Sequence, residues 1–315
     1  MTRALLIAGP TASGKTAVAL TLADRFGATI VNADAMQVYA DLRVLTARPT
    51  AAEERRALHR LFGEVDGAET FSVGRWLARA REILAEAPDG APLIFVGGTG
   101  LYFRALTEGL SDIPRVPDAV REAVRAEAEG APTPALHARL ALRDPATAAR
   151  LRPSDRQRVL RALEVVAATG RPLVAFQGAR EPPALPKESW VGLFLAPERA
   201  ALNARIEARF DEMLASGALD EVATLAARRL DPALPVMRAH GVPDLIAHLE
   251  GRLSLAEART LAVRDTRRYA KRQFTWARHQ MPDFAWIAPE DAEAAGAAAI
   301  NPYSRHGRAR PGHPG

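Results

Sequence analysis

The apolar positions of this chain fall first into short unbroken runs and later into helical stripes. Ala4-Leu5-Leu6-Ile7-Ala8 is one run. Ala28-Thr29-Ile30-Val31-Asn32-Ala33-Asp34 is a second, ending in an acid, and Pro92-Leu93-Ile94-Phe95-Val96 is a third. Short apolar runs with no polar alternation predict strands covered on both faces, as in a parallel sheet. Between them the spacing becomes helical. Thr16 to Arg25 carries Val18, Leu20 and Leu22, and the helix predicted from Ser72 to Ala87 begins on a serine suited to an N-cap. Strand and helix alternate over residues 1–114, which predicts a doubly wound α/β core with a parallel sheet. In such sheets ligands gather at the carboxyl ends of the strands.

From Pro114 the pattern changes. Pro117–Gly130, Pro134–Arg143 and Ser154–Thr169 read as helices separated by proline or glycine, with no strand between them. Arg180 to Pro186 is a proline-rich connector, Trp190–Leu195 returns to strand character, and helices dominate from Glu198 to about Met281. The predicted organisation is a core begun by residues 1–114, an all-helical insertion at 115–187, and completion of the core by 188–300. Residues 301–315 lack hydrophobic periodicity and are expected to be disordered.

Length and composition narrow this little further. No apolar run approaches the roughly 18–20 residues of a membrane span. The absence of cysteine excludes disulfides and thiolate metal sites. Met1-Thr2-Arg3 leads straight into the first strand without a cleavable signal, so a cytoplasmic protein, monomeric and without a membrane partner, is expected.

Charge is more telling. The formal net charge is +5, and the six basic residues Arg264, Arg267, Arg268, Lys271, Arg272 and Arg278 face a single acid, Asp265, in one stretch. At about 100° per residue, Arg267, Arg268, Lys271 and Arg278 lie within roughly 60° of Arg264. Val263, Tyr269, Ala270, Phe274, Trp276 and Ala277 take the other half of the wheel, so Tyr269 and Trp276 are expected in the core. A solvated helix face usually mixes signs; this stripe suits an extended polyanion such as RNA. The arginine-rich helix Asp155–Glu164 is a candidate second contact.

Gly9-Pro10-Thr11-Ala12-Ser13-Gly14-Lys15-Thr16 fits G-x-x-x-x-G-K-[ST] between a predicted strand and a predicted helix. Loop amides and the helix N-terminus converge on one point there, Lys15 adds a full charge, and the Thr16 hydroxyl is placed to ligate Mg2+. Lys15 is one of only three lysines in an arginine-biased chain. A diphosphate or triphosphate group is therefore expected at this loop. The core is accordingly read as P-loop NTPase-like. Asp34 lies at the next strand end, where a carboxylate serves as metal ligand, proton acceptor or helix cap. Thr99 follows two glycines at the third strand end, which offers no acidic metal ligand and so weighs against simple nucleotide hydrolysis. Arg205 and Arg209, four apart on a helix, share a face that can clamp a diphosphate, against the alternative of a solvated surface that so arginine-rich a chain would otherwise favour.

With these motifs in this order, the chain resembles the tRNA dimethylallyltransferases, or tRNA isopentenyltransferases, over roughly residues 3–290. The resemblance rests on Gly9–Thr16, Asp34-Ala35-Met36-Gln37-Val38-Tyr39, Val96–Tyr102, Asp155–Glu164 and Arg267–Arg278. It implies transfer of a dimethylallyl group from dimethylallyl diphosphate to N6 of the adenosine immediately 3′ of the anticodon in tRNA. It further implies Asp34 as general base, Thr99 at the reaction centre, Arg209 on the diphosphate, and Thr11–Thr16 as its cradle with Mg2+ at Thr16. Asp34, Ala35, Met36 and Gln37 match tRNA-contacting positions, as do Gln157, Arg158, Val159, Leu160 and Arg161. So do Lys271, Arg272, Gln273, Phe274, Thr275, Trp276, Ala277 and Arg278, and also Arg121. Ala35 stands where the family has serine, Leu45–Pro49 lacks its usual glycine and lysine, and Arg238–Pro243 keeps only the glycine of its pattern. The rival readings are a small-molecule kinase, an adenylate isopentenyltransferase acting on free nucleotide, and an RNA-binding module with a vestigial loop. The first two have no use for the basic stripe, and the third predicts no product.

Overall fold

A computed structural model describes residues 4–88, 90–178 and 180–300 of the chain. The first part runs β1 (Ala4–Ala8), α1 (Lys15–Phe26), β2 (Thr29–Asn32), a single turn α2 (Ala51–Glu54), β3 (His59–Arg60), α3 (Val73–Glu86), β4 (Leu93–Gly97) and α4 (Gly100–Glu108). Four helices follow: α5 (Asp118–Glu127), α6 (Thr133–Arg143), α7 (Pro145–Ala148) and α8 (Arg156–Thr169). The chain then forms β5 (Trp190–Leu195), α9 (Arg199–Ala215), α10 (Ala218–Ala227), α11 (Val242–Leu249), α12 (Leu255–Gln280), β6 (Phe284–Ile287) and α13 (Ala292–Ile300).

The fold is α/β, as the alternating pattern predicts. All six strands are parallel, in the order β3-β2-β4-β1-β5-β6. The central runs are wholly buried, β1 and β4 along their entire length. One sheet face presents Leu5, Ile7, Ile30, Ile94, Val96 and Leu193 to Leu20, Leu22 and Ala23 of α1 and to Ala299 and Ile300 of α13. On the other, Phe95 meets Trp76 of α3 edge-on, and Trp76 stacks on Tyr102 of α4 at 4.3 Å. The edge strands β3 and β6 have no counterpart in the sequence reading. β3 has only two residues and β6 is half exposed, so neither leaves an apolar run.

Helix ends follow local chemistry. Ser72 accepts the Arg75 amide at the start of α3, as predicted. Ser254 and Glu257 form a capping box at the start of the long α12. A second core joins α9 to α12 through Leu202, Ile206, Phe210, Val222, Leu245 and Ala262.

The chain divides into two compact units. One is built from both ends, up to Thr107 and from Ala184 onward; the other is Glu108–Pro183. Proline punctuation put the insertion at 115–187. The second unit begins earlier because the segment after α4 bonds within it: Glu181 donates to the Leu110 carbonyl, and Ser111 bridges to Arg180. This unit has its own core, with Leu136, Leu140, Val159 and Leu163 at its centre. The expected disorder of 301–315 lies outside the described residues.

Candidate functional site

Sheet register brings three turns together. Ala8 of β1 pairs with Gly97 of β4, and Asn32 of β2 pairs with Val96. Gly9, Ala33 and Gly98 therefore leave the sheet at one level. β2 and β4 approach so closely that a methyl group on Gly97 would lie 2.1 Å from the Ala33 backbone. Connections depart in opposite directions from the neighbouring strands β1 and β4, which opens the crevice where doubly wound sheets bind ligands.

The glycine-rich loop feeds α1 as predicted. Ala12 and Gly14 both adopt left-handed backbone, with φ of 61° and 92°. Such turns curl successive amides toward an anion, and the first helical amides have no intrahelical partner. Lys15 Nζ donates to the Pro10 carbonyl at 3.0 Å. Burial lowers its pKa to about 8; the negative charge of Asp34 opposes this and the positive charge of Arg209 adds to it. Ser13 Oγ is fully buried with no hydrogen-bond partner. Among the described residues no cluster of His, Asp and Glu could hold a metal by itself. The Thr16 hydroxyl, in the first turn of α1, is the side-chain oxygen of the loop that could serve a cation.

Asp34 is held by a buried neighbour. Asn32 Oδ1 accepts the Asp34 amide at 2.8 Å, and Asn32 Nδ2 donates to the carbonyls of Asp34 and Leu61 at 2.9 Å. Asp34 Oδ1 accepts the Met36 amide at 2.9 Å. A methyl group on Gly98 would lie 3.2 Å from Asp34 Oδ2, which places that oxygen over the third turn. Thr99 Oγ1 accepts the Ala35 amide at 2.9 Å, and the Thr99 amide donates to the Ala33 carbonyl at 3.1 Å. Arg209 is half-buried on α9; burial lowers its pKa and Asp34 opposes the shift. The structure thus brings Asp34, Thr99, Lys15 and Arg209 together. Arg205, its companion on the same face, is exposed, as the solvated-surface reading has it.

Tyr269 belongs to this site, which corrects its expected role as core packing. Burial drives its hydroxyl well above the ordinary range; the charge of Asp34 adds to that, and a hydrogen bond with the Thr99 side chain opposes it. His240 lies 4.7 Å from the Tyr269 ring, its pKa lowered by burial. Burial also raises Tyr102, with Asp34 contributing.

The proposed RNA-contacting segments divide by face. Lys271, Arg272, Thr275 and Arg278 are exposed on α12. Gln273 and Ala277 are buried at 8% and 1% exposure, so their side chains do not reach an RNA. Phe274 packs edge-on against Phe194, and Trp276 lies against Gly100. Arg267 turns from the stripe to pair with Glu207 of α9. On α8, Gln157 and Arg158 are exposed, while Arg161 is half-buried and faces Glu164 at 3.7 Å. Val159 is fully buried in the core of its unit, which removes it as a contact, and Leu160 packs partly against that core. Arg121 pairs with Asp118 at 2.7 Å. Ala35, Met36 and Gln37 are half-buried, and Gln37 Nε2 donates to the carbonyls of Thr46 and Ala47.

Sequence reasoning missed Asn32, and it placed Gln273 among the RNA contacts rather than between the loops after β1 and β4. A polar residue inside an apolar strand run must be hydrogen-bonded if buried, and that signal was available at Asn32. The bridging role of Gln273 carried none, because its partners are distant in sequence.

Comparison with known proteins gives a consistent picture. A sequence model of the family described as IPP transferase matches residues 37–280, and one described as isopentenyl transferase matches residues 2–66. A tRNA dimethylallyltransferase of Methylocella silvestris is 64% identical over 292 residues, covering 92% of this chain and 96% of the relative. That of Methylorubrum populi is 62% identical over 291 residues, covering 92% of each. The crystal structure of a full-length tRNA isopentenylpyrophosphate transferase from Bacillus halodurans superposes with a TM-score of 0.67 at 31% identity, covering 95% of this chain and 97% of the other. A eukaryotic dimethylallyltransferase acting on tRNA shares the fold, with a TM-score of 0.78 at 24% identity over 95% of this chain and 78% of its own.

Proposed function

The chain belongs to the IPP transferase family, and on that footing we propose how its site works. The protein is a transferase that prenylates tRNA. Its donor in our reading is dimethylallyl diphosphate, and its acceptor is N6 of the adenosine 3′ of the anticodon. The observation that supports this most directly is the juxtaposition of the Asp34 carboxylate with the cations Lys15 and Arg209 at the phosphate loop. A base and an anion cradle occupy one desolvated site.

The N6 lone pair is delocalised into the adenine ring, so the amine is a weak nucleophile. As N6 bonds to the first carbon of the dimethylallyl group, the bond from that carbon to the diphosphate oxygen breaks. Asp34 Oδ2 takes the N6 proton. Diphosphate departs with the bonding electron pair, and its added charge falls on Lys15, Arg209 and the amides of Ala12–Thr16. Desolvation strengthens each of these interactions. A magnesium ion held by Thr16 supplies Lewis-acid stabilisation of the same oxygens when bound. Thr99 sets the level of Asp34 through the Ala35 amide.

Reaching such a site requires the adenosine to leave its stack, at about a few kcal/mol. Phosphate contacts from exposed Lys271, Arg272 and Arg278 offset that cost in our reading, with Gln157, Arg158, Arg161 and Arg121 as further contacts from the helical insertion. No helix among the described residues is long and apolar enough to cross a membrane, and tRNA as substrate supports a cytoplasmic location. Names of relatives that specify tRNA do not favour a kinase or a free-nucleotide prenyltransferase.

The test is to incubate the protein with radiolabelled dimethylallyl diphosphate, Mg2+, and either bulk unmodified tRNA or AMP. Label is expected in tRNA at the adenosine 3′ of the anticodon and not in AMP. No transfer to tRNA at any metal concentration would sink the reading.

A further inference from the structure

Helix α12 has two working faces. Outward it presents the exposed Arg264, Arg268, Lys271, Arg272 and Arg278. Inward it presents Tyr269, Gln273 and Trp276, spaced i, i+4 and i+7 along one stripe. Each touches a different part of the site: Tyr269 the Thr99 side chain, Gln273 the phosphate loop, and Trp276 the Gly100 turn.

Gln273 makes the most directed of these contacts. Its Oε1 accepts the Thr11 amide at 3.1 Å, and its Nε2 donates to the Gly98 carbonyl at 2.9 Å. One side chain thus bridges the loops that follow β1 and β4, across sequence separations of 262 and 175 residues. Both ends are used, and the partners fix which end is oxygen. Filling space does not explain the residue, since a buried amide is unfavourable unless it is hydrogen-bonded. A carboxylate offers no donor to Gly98, and a hydrocarbon offers neither bond.

Geometry explains why the phosphate loop needs an outside anchor. Ala12 sits in left-handed backbone, which is strained for a residue with a Cβ and persists only where surrounding contacts hold it. The Thr11 amide immediately precedes it. Tethering that amide to α12 fixes where the anion-facing amides start.

We propose that Gln273 is a positioning residue that ties the diphosphate cradle to the RNA-facing helix, so that tRNA and diphosphate bind cooperatively. The proposal rests on the reading of the α12 stripe as an RNA contact. Phosphates of tRNA on the outer face hold α12 in place, and Gln273 passes that constraint to Thr11 and Gly98. Coupling of this kind is reciprocal: each ligand tightens the other by the same factor, typically about 5–150-fold.

Calorimetric titration of the full chain with inorganic diphosphate and Mg2+, with and without a saturating unmodified anticodon stem-loop, tests this. For the unaltered protein the RNA should tighten diphosphate binding about fivefold or more. Gln273→Met, which keeps the volume and loses both bonds, should weaken diphosphate binding about tenfold and bring the coupling factor close to one. Its affinity for the stem-loop alone should not change. Gln273→Glu keeps the acceptor for Thr11 and should also lose coupling, because its donor to Gly98 is gone; it serves if the methionine variant does not fold. Unchanged diphosphate affinity, or coupling that survives in a folded variant, would overturn the proposal. So would equal loss of diphosphate and stem-loop affinity together with a lowered melting temperature, which would make Gln273 a core residue only. If the unaltered protein bound no stem-loop, the RNA-contact reading would fall and the coupling with it. Diphosphate titration without RNA would still report on the tether.

Discussion

Thr99 Oγ1 accepts the Ala35 amide at 2.9 Å, across 64 residues of sequence. This bond levels the turn after β4 with the turn that carries Asp34, and it leaves the Thr99 hydrogen for another partner. Thr99→Ala leaves the half-buried Ala35 amide without that acceptor, at about 1 kcal/mol. Prenyl transfer to tRNA should then lose roughly tenfold or more in kcat/KM, and Thr99→Ser should restore most of it. An alanine variant as active as the unaltered protein would show that the bond does not set the base.

Asp34→Asn preserves the acceptor for the Met36 amide but removes the proton acceptor. Transfer should fall about 10²–10⁴-fold, while filter retention of tRNA stays the same. A loss of tRNA retention matching the loss of rate would move Asp34 from catalysis to binding.

Lys15 gives a pH signature. Above about pH 8 the free protein loses the Lys15 proton, so binding a diphosphate anion must bring one back. Affinity for inorganic diphosphate should therefore lose up to about tenfold per pH unit above that point relative to Lys15→Met. Comparing the two proteins removes the ligand's own ionisation. Stability has the opposite sense. The folded pKa lies below the ordinary 10.5, so the unfolded chain binds more protons between about 8 and 10.5. The Lys15 contribution to stability then rises with pH across that window. Lys15→Met should accordingly stabilise the ligand-free protein most below pH 8, read by denaturant titration. A stability gain independent of pH would count against a desolvated ammonium.

Replacing Lys271, Arg272 and Arg278 together with alanine should weaken tRNA binding and reduce the slope of log K against log salt by about 2. All three side chains are exposed, so the melting temperature should hold. An unaltered slope would remove the stripe from the interface.

Gly97→Ala places a methyl group 2.1 Å from the Ala33 backbone. Strands β2 and β4 must separate to admit it. Stability should drop by about 1–3 kcal/mol or more, seen as a lower melting temperature. Activity should fall as well, because Asp34 and Thr99 ride on those strands. A variant with unchanged melting temperature would mean that the strands are not locked at this point.

The amino-acid sequence by itself determined the strands β1, β2, β4 and β5, the phosphate loop, and the acid and threonine at the next two strand ends. Each is written in contiguous residues: an unbroken apolar run, a glycine spacing, a polar residue at the end of a run. It also determined that α12 is basic on one side, since a helical wheel needs only a period. Which inner residue does what was decided by tertiary structure. Arg267 leaves the stripe because Glu207 of α9 lies beside it, and Val159 is lost to an RNA because α8 packs into the core of its own unit. Tyr269 meets Thr99, and Gln273 meets Thr11 and Gly98, only because sheet register puts the ends of β1, β2 and β4 at one level. Periodicity encodes which face of an element is buried. It does not encode the distant partner that the buried face will find.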